Sequence, residues 1–157
     1  MIRRATIVAV GALKGWAADG ADDYLKRLRR YFPAEIVEVR EEDLNRRSPE
    51  EVLAAEGRRL LKRLPTGVYA VALDRERGEP LASEKLARRL SSLGLSGKSH
   101  VAFVVGGSLG LSPEVLKRAD ALVSFGPITL PHALARVVLL EQLYRAAKIH
   151  RGEKYHY

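Results

Sequence analysis

The chain has 157 residues, the size of one domain, and its 46% of hydrophobic residues excludes a chain that is disordered throughout. It contains no cysteine, which excludes disulfide scaffolds, thiolate metal sites and a cysteine nucleophile. Lysine and arginine number 27 against 19 aspartate and glutamate residues, and the net charge of +8 points to a polyanionic partner. No apolar run approaches the roughly 18–20 residues of a membrane span, so no membrane association is expected.

The N-terminal residues allow two interpretations. A basic start at residues 1–4 and an apolar stretch at residues 5–13 superficially resemble a signal peptide. Lys14 and Trp16 end that stretch, no convincing cleavage site follows, and residues 6–10 fit a β-strand equally well. We therefore expect a cytoplasmic protein.

Apolar runs of strand length alternate with amphipathic segments along the chain. The predicted strands are residues 5–10, 35–39, 68–73, 100–105 and 121–125. The predicted helices cover approximately residues 18–31, 49–63, 82–93, 113–119 and 131–148. Ser48 and Ser112 each precede a proline and a glutamate, a pattern typical of a helix start. The alternation predicts an α/β fold with a mainly parallel sheet flanked by helices, in a single domain over residues 1–157.

Two glycine-containing segments approach nucleotide-binding motifs without matching them. Residues 97–99 are Gly-Lys-Ser, but the glycine that a phosphate-binding loop needs five residues before Gly97 is replaced by Ser92. Residues 106–110 follow a predicted strand, but Ser108 stands where the dinucleotide-binding pattern needs a glycine. A structural turn is the alternative to a ligand-binding loop there. The four histidines lack metal-ligand spacing, so no metal site is expected.

Three turn segments follow predicted strands in the second half of the chain, at residues 73–78, 106–110 and 124–131. The carboxyl ends of parallel strands meet at one edge of a sheet, where α/β proteins bind their ligands. The segments contain few ionisable side chains. They therefore predict a ligand that is held by backbone groups and apolar walls.

These segments resemble the ribosomal RNA large subunit methyltransferase H family, a family of small SPOUT-class enzymes. The matching motifs are Val8-Ala9-Val10-Gly11, Leu73-Asp74, the stretch Val-Gly-Gly-Ser-Leu-Gly-Leu-Ser at 105–112, Thr129-Leu130-Pro131-His132 and Tyr155-His156. Residues 136–139 and 141–146 match the long helix of the family. Each motif is modest, but together they cover the chain in order and at family length.

The resemblance implies methylation of a pseudouridine at N3 in 23S ribosomal RNA, on the large subunit or the assembled ribosome, with S-adenosylmethionine as the methyl donor. It also implies a homodimer and a trefoil knot at the C-terminal end of the sheet. The apolar run 133–140 fits either a dimer interface or a core helix within one subunit. By resemblance, the residues that bind the donor are Leu73, Gly106, Gly107, Phe125, Gly126, Pro127, Ile128, Thr129 and Leu130.

The resemblance also assigns chemistry to the C-terminal tail, where the tail of one subunit completes the site of the other. His156 is the expected base for the imide proton, because a neutral imidazole accepts a proton near pH 7. Tyr155 is expected to position or stack on the target base. The family usually has a basic residue after the histidine, whereas this chain ends with Tyr157.

Basic side chains are concentrated at the two ends of the chain. Residues 1–30 carry 7 basic and 3 acidic side chains and residues 121–157 carry 5 and 2, whereas residues 31–60 carry 5 and 8. One interpretation assigns these charges no binding role and takes them as a solvated helix face. The RNA interpretation predicts phosphate contacts from Lys14, Arg145, Lys148, Arg151 and Lys154.

Two other functions stay open at this point. One is a nucleotide-binding dehydrogenase of the doubly wound type, which the broken glycine pattern at residues 106–110 disfavours. The other is a non-catalytic protein that binds RNA or the ribosome, with the same fold and without the chemistry. The altered end of the tail at Tyr157 is the feature in its favour.

Overall fold

The fold is built on a parallel β-sheet with helices on both faces. The computed structural model describes residues 1–155. Its strands are β1 (Arg4–Val10), β2 (Ala34–Val39), β3 (Tyr69–Leu73), β4 (Glu79–Pro80), β5 (His100–Val105) and β6 (Ala121–Ser124). Its helices are α1 (Gly15–Leu28), α2 (Pro49–Arg63), α3 (Ser83–Leu95), α4 (Pro113–Arg118) and α5 (His132–His150). These strands pair in the order β2-β1-β5-β3-β6-β4, and every pairing among them is parallel.

Alternate residues of β1 face two different cores. Ile7 and Ala9 pack with the buried side chains of α1, α3 and α5 on one face of the sheet. Val8 and Val10 pack on the other face with those of α2 and α4. Because both faces are covered, β1 is an almost continuous apolar run instead of an alternating one. The predicted α/β class and the mainly parallel sheet are confirmed.

The prediction of five strands was wrong by one. β4 has only two residues, pairs with the edge of β6 and contains Pro80, which cannot donate a backbone hydrogen bond. So short a segment shows no alternation that a sequence pattern could reveal. Phe125, predicted at the end of a strand, lies beyond β6 in the following loop.

Two predicted helix starts are confirmed by their hydrogen bonds. The Ser48 hydroxyl accepts the backbone N–H of Glu51 at 3.2 Å, and the Ser112 hydroxyl accepts that of Val115 at 3.3 Å. Each such cap stabilises a helix by about 1 kcal/mol. The first helix differs more, since α1 begins at Gly15 and ends at Leu28, three residues earlier at each end than the pattern predicts.

A buried arginine fastens the start of α5 to the end of β1. Arg136 is fully buried, and its guanidinium donates to the carbonyl oxygens of Gly11 at 2.8 Å and Val10 at 3.4 Å. It also pairs with Glu38 of β2 at 3.1 Å. Burial lowers the pKa of Arg136 and the Glu38 carboxylate opposes that shift. This network fixes the first turns of α5 beside the carboxyl ends of the central strands.

Candidate functional site

A cleft of about 350 Å³ opens at the carboxyl ends of β3, β5 and β6. The three segments that the sequence predicts as ligand-binding loops meet there. The cleft is lined by Leu73, Gly106, Gly107, Phe125, Gly126, Ile128, Thr129 and Leu130, which are eight of the nine predicted donor-binding residues. Pro127 belongs to the same loop but is not part of the lining. Its volume is within the range of roughly 300–1,000 Å³ that is usual for small-molecule sites.

Hydrogen bonds to one aspartate shape the loop after β3. Asp74 Oδ1 accepts the backbone N–H groups of Glu76 at 2.9 Å and Arg77 at 2.7 Å, which closes a tight turn. Arg75 Nη1 then donates to Thr129 Oγ1 at 2.8 Å across the cleft. The loops after β3 and β6 are therefore joined by a side-chain hydrogen bond.

Ser124, the last residue of β6, connects the same two loops. Its hydroxyl accepts the backbone N–H of Gly126 at 3.0 Å and lies 3.3 Å from the carbonyl oxygen of Arg75. Ser124 is buried, so these contacts are shielded from water. The loop that carries Phe125 to Leu130 is thus held at its first residues.

The loop after β5 folds back so tightly that its first residue has no room for a side chain. A Cβ on Gly106 would overlap the carbonyl group of Gly110. The backbone N–H of Gly110 donates to the carbonyl oxygen of Gly107 at 3.1 Å and closes the turn. Backbone without side chains therefore forms this wall of the cleft, which lets a ligand approach the peptide groups closely.

Further residues line the cleft that the sequence did not single out as ligand contacts. They are Asp74, Arg75, Glu76, Arg77, Ser108, Leu109, Gly110, Leu111, His132 and Ala135, together with Val105, Val123 and Ser124 from the strand ends. Most of them lie within the three predicted segments, so the segments were the available signal. Which side chains face the cleft depends on the Asp74 turn and on the position of α5.

A cluster of tyrosines surrounds the C-terminal half of α5. The ring of Tyr144 lies 6.2 Å from that of Tyr24, 5.8 Å from that of Tyr31 and 5.7 Å from that of Tyr155. We call these four residues the tyrosine cluster. The Arg145 guanidinium lies 4.0 Å from the centre of the Tyr155 ring. Tyr155 is therefore held against α5 of its own chain.

Two phenol groups of the tyrosine cluster keep their protons more firmly than usual. Burial, together with the hydrogen bond that its hydroxyl donates to Glu153 at 2.6 Å, raises the pKa of Tyr31 to about 12. Burial also raises the pKa of Tyr155, and a hydrogen bond with Glu141 acts in the same direction. Both hydroxyl groups are thus uncharged donors near neutral pH.

The structure places Tyr155, the described one of the two predicted catalytic residues, away from the cleft of its own chain. His132 lines the cleft at the first residue of α5, whereas Tyr155 packs against Tyr144, twelve residues further along that helix. At 1.5 Å per residue, about 18 Å of helix separates the two positions. His156 and Tyr157 lie outside the described residues, so the assignment of His156 stays a prediction.

The predicted RNA-binding residues fall into two groups. Lys14, Arg151 and Lys154 are exposed. The side chains of Arg145 and Lys148 are only 19% and 17% exposed, and they form ion pairs with Glu141 and Glu153. A second basic surface, which the sequence analysis missed because residues 31–60 are acidic on average, surrounds a depression on α2 and consists of Arg47, Arg58, Arg59 and Lys62.

Among residues 1–155, no helix has both the length and the apolar character required to cross a membrane. The same part of the chain has no group of three or more histidine, cysteine or acidic side chains placed to hold a metal ion.

Comparison with known proteins identifies the family. A family model described as "Predicted SPOUT methyltransferase" matches residues 3–156. The chain belongs to the SPOUT methyltransferase family. Its methyltransferase relatives include the ribosomal RNA large subunit methyltransferase H of Rubrobacter xylanophilus, 66% identical over 158 residues and matched over 100% of both chains. The protein of the same name from Moorella thermoacetica is 49% identical, with 96% of this chain and 97% of the relative covered.

Solved structures of methylases share the fold of this SPOUT methyltransferase. A probable methylase family protein from Haemophilus influenzae matches with a TM-score of 0.55 and 13% identity, covering 100% of this chain and 72% of its own. A probable methyltransferase from Bordetella pertussis matches with a TM-score of 0.52 and 20% identity, covering 93% of this chain and 96% of its own. At these identities the likeness extends to the fold alone.

Proposed function

We propose that this SPOUT methyltransferase transfers a methyl group from S-adenosylmethionine to N3 of a pseudouridine in 23S ribosomal RNA. The observation that carries the proposal is the cleft at the ends of β3, β5 and β6, in which eight of the nine residues predicted to bind the donor lie together. The substrate class comes from full-length relatives that are named ribosomal RNA large subunit methyltransferase H.

The cleft suits the methyl donor in size and in chemistry. Leu73, Phe125 and Leu130 provide apolar surface for a purine ring, and the backbone of residues 106–110 provides peptide groups at close range. The acidic and basic side chains of Asp74 to Arg77 lie at the same cleft, where they can meet the polar groups of an amino acid. When bound, the donor supplies a methyl group that is already activated as a sulfonium, so alignment is the main task of the protein.

In the proposed reaction, His156 accepts the imide proton of the target base. Tyr155 is less suited to that role, because burial and Glu141 raise the pKa of its hydroxyl and keep it protonated. A protonated phenol next to an arginine is instead fitted to donate a hydrogen bond or to stack on a base. We therefore assign Tyr155 to positioning and His156 to proton transfer.

We further propose that the working unit is a homodimer. Within one chain, about 18 Å of α5 separates the cleft from the place where Tyr155 packs, so a tail that acts at a cleft has to reach that of a second copy. Two of the exposed large apolar side chains are Ile128 in the cleft lining, at 70%, and Trp16 near the start of α1, at 65%. The apolar run 133–140 suits both a core helix and a dimer interface. Leu139 and Leu140 are buried in the core, while Val137 and Val138 are only partly covered. The trefoil knot implied by the resemblance stays a prediction.

RNA affinity is proposed to come from positive charge around the tail and the start of α1. Lys14, Arg151 and Lys154 are exposed and available to phosphates. Arg145 and Lys148 have to exchange Glu141 and Glu153 for phosphate groups before they can contribute. Such contacts position an RNA without selecting its sequence. Action on ribosomes also places the protein in the cytoplasm.

Two measurements test the proposed function. Calorimetric titration with S-adenosylmethionine is expected to show saturable binding, while NAD as the control shows none. Methyl transfer to pseudouridine-containing ribosomes is then expected in the wild type and to fall by about 100-fold or more in His156→Ala, with donor affinity retained. Binding of NAD alone would overturn the proposal, and donor binding without methyl transfer by the wild type would instead support a non-catalytic protein of the same fold.

A further inference from the structure

Glu56, an acidic residue of α2, lies next to residues 106–110, the part of the cleft that we call the glycine wall. Glu56 is only 4% exposed. Its Oε2 accepts the backbone N–H of Glu42 at 2.9 Å, whereas its buried Oε1 has no hydrogen-bond partner among residues 1–155. A Cβ built on Gly107 would lie 3.2 Å from this Oε1 and 3.1 Å from Val10 Cγ1. The unpartnered oxygen of Glu56 therefore faces the side of Gly107 that is turned away from the cleft.

The next residue of α2 contacts the other end of the same loop. A Cβ on Gly57 would overlap Ser112 Oγ, the hydroxyl that caps α4. Glu56 and Gly57 thus lie against Gly107 and Ser112 respectively, so one turn of α2 supports both ends of the stretch that forms the glycine wall. A helix position with no room for a methyl group fixes how closely α2 approaches this stretch.

The surroundings of Glu56 disfavour a charged carboxylate. Burial raises the pKa of Glu56, and the nearby negative charges of Glu41 and Glu42 act in the same direction. The N–H of Glu42 and the charge of Arg59 oppose the shift. Arg59 is itself engaged, with a 2.5 Å hydrogen bond to the Glu42 carboxylate and a 2.9 Å bond to the carbonyl oxygen of Arg40.

Two uncharged groups lie close to the Glu56 carboxyl group on the side of the cleft loop, namely Val10 of β1 and Gly107. An unpartnered oxygen is far less costly in such a place on a neutral carboxyl group than on a carboxylate, which needs a counter-charge or several donors.

We propose that Glu56 is a positioning residue of the donor site, which supports residues 106–110 from behind and preserves the loop shape that the donor contacts. The inference rests on the proposed function, because it takes the cleft to be the place where S-adenosylmethionine binds. Glu56 itself touches neither donor nor RNA in this account. The Oε1 atom of Glu56 can form a hydrogen bond with the loop when S-adenosylmethionine occupies the cleft.

The experiment compares donor affinities of Glu56→Gln and Glu56→Ala by calorimetric titration with S-adenosylmethionine. Glutamine keeps the shape of the carboxyl group and an oxygen that can accept the N–H of Glu42, so the affinity is expected to stay within about 3-fold of the wild type. Alanine leaves a space behind Gly107, and the affinity is expected to fall by about 10-fold or more. Glu50→Gln, at an exposed position on α2, is the matched control and is expected to bind as the wild type does.

A second readout depends on charge and is insensitive to a merely structural role. Because its surroundings raise the pKa of Glu56, its charge appears behind the loop at a higher pH than usual, and the donor affinity of the wild type is expected to fall with rising pH more than that of Glu56→Gln. Only the difference between the two proteins, measured over a series from pH ~5 to ~8.5, is assigned to Glu56.

The possible outcomes separate the two proposals. A wild type that does not bind S-adenosylmethionine overturns the proposed function and the role of Glu56 together. A wild type that binds, with Glu56→Ala binding equally well, overturns the role of Glu56 alone. If Glu56→Ala does not fold, as shown by its thermal unfolding, parallel pH dependences of the wild type and Glu56→Gln overturn it instead.

Discussion

The cleft and the tyrosine cluster lie at opposite ends of α5 and are built in opposite ways. One wall of the cleft is formed by backbone, where a Cβ on Gly106 would overlap the carbonyl group of Gly110 and a Cβ on Gly107 would lie only 3.1 Å from Val10 Cγ1. The tyrosine cluster is formed by large side chains, with three rings whose centres lie within 6.2 Å of the centre of the Tyr144 ring. The donor site therefore depends on the path of one chain, whereas the tail depends on side-chain contacts.

From this difference we infer that donor binding and methyl transfer by this SPOUT methyltransferase depend on different parts of the dimer. The loop hydrogen bonds and the ion pair of Arg136 shape the cleft within a single chain. The tail residue Tyr155 is held about 18 Å of helix away from that cleft, by Tyr144 and Arg145. Donor binding is therefore expected from one chain, while methyl transfer is expected to need two.

The largest effect is expected from Gly106→Ala, which adds one methyl group to the loop after β5. Gly106→Ala puts a Cβ into the carbonyl group of Gly110, so the loop has to move. A displacement of about 1 Å at a binding site commonly costs about 100-fold, and we expect a loss of S-adenosylmethionine affinity of this size by calorimetry. The tyrosine cluster is expected to be unchanged.

Gly97→Ala is the matched control for this variant. Gly97 has open space around it and, unlike Gly106, a positive φ of 81°, so the substitution strains the backbone without a steric overlap and outside the cleft lining. Its donor affinity is expected to equal that of the wild type. Wild-type affinity in Gly106→Ala would show that the donor binds elsewhere.

Mixing two inactive variants tests whether the tail acts on a second chain. The Gly106→Ala subunit keeps an intact tail and the His156→Ala subunit keeps an intact cleft. If each tail acts on the cleft of the other subunit, a mixed dimer therefore has one site in which both parts are intact. Random pairing makes about half of all dimers mixed, and one of their two sites works, so the mixture is expected to regain about one quarter of wild-type methyl transfer. Each variant measured alone provides the baseline.

A mixture that regains no methyl transfer would show that each tail acts on the cleft of its own subunit. If the tail serves the cleft of its own subunit, every chain in the mixture carries one defect and methyl transfer stays at the level of the single variants. Subunit exchange has to be complete for this reading, which mass measurement of differently tagged subunits under native conditions establishes.

Much of the fold could be predicted because hydrophobic period and helix capping are local properties. Val8 and Val10 alternate with Ile7 and Ala9 between two buried faces, so the run predicts a central strand directly. Ser48 predicts the start of α2 within one residue. β4 was missed because a two-residue edge strand exists only through its pairing with β6.

The candidate site was predictable as segments and not as contacts. The three loops could be located because each follows a strand, but the support behind them could not. Glu56 belongs to an amphipathic segment in which it counts as one more surface charge, until the packing of α2 places it behind Gly107. Arg136 likewise counts toward the basic end of the chain, although the fold buries it completely.

A smaller effect is expected from the exposed charges near the tyrosine cluster. Arg151→Glu combined with Lys154→Glu removes two exposed cations at the end of the chain. We expect about a 10-fold loss of ribosome affinity at low salt and a salt-dependence slope that is smaller by about 1.5, since each phosphate contact contributes roughly 0.7–0.9. Filter binding over a salt series measures both quantities, while donor affinity is expected to be unchanged.

Arg88→Glu combined with Lys98→Glu is the matched control, because it changes the net charge equally at exposed positions on α3 and in the turn before β5. Its ribosome affinity is expected to fall by less than about 3-fold. Equal losses in both double variants would show that net charge, and not the surface near the tail, determines RNA affinity.

The smallest effect is expected inside the tyrosine cluster, where Tyr31→Phe removes the hydrogen bond to Glu153. At pH ~8 the urea midpoint of unfolding is expected to fall by about 0.5 M, from roughly 1 kcal/mol for a hydrogen bond and an m-value of roughly 2 kcal/mol/M. The folded-state pKa of Tyr31 is raised to about 12, from about 10 in the unfolded chain. Its stabilising effect is therefore complete below pH ~10 and is lost as the pH rises toward 12.

The difference in midpoint between the wild type and Tyr31→Phe is accordingly expected to shrink between pH ~10 and ~12. Glu153→Gln in the Tyr31→Phe background is the control, since the hydroxyl partner of Glu153 is already absent there and only its ion pair with Lys148 is lost. A midpoint difference that stays constant over this pH range would show that the Tyr31 hydroxyl does not hold the tail segment to the cluster. The segment after α5 would then be held by ring packing at Tyr144, by the contact of Arg145 with Tyr155 and by the ion pair between Lys148 and Glu153.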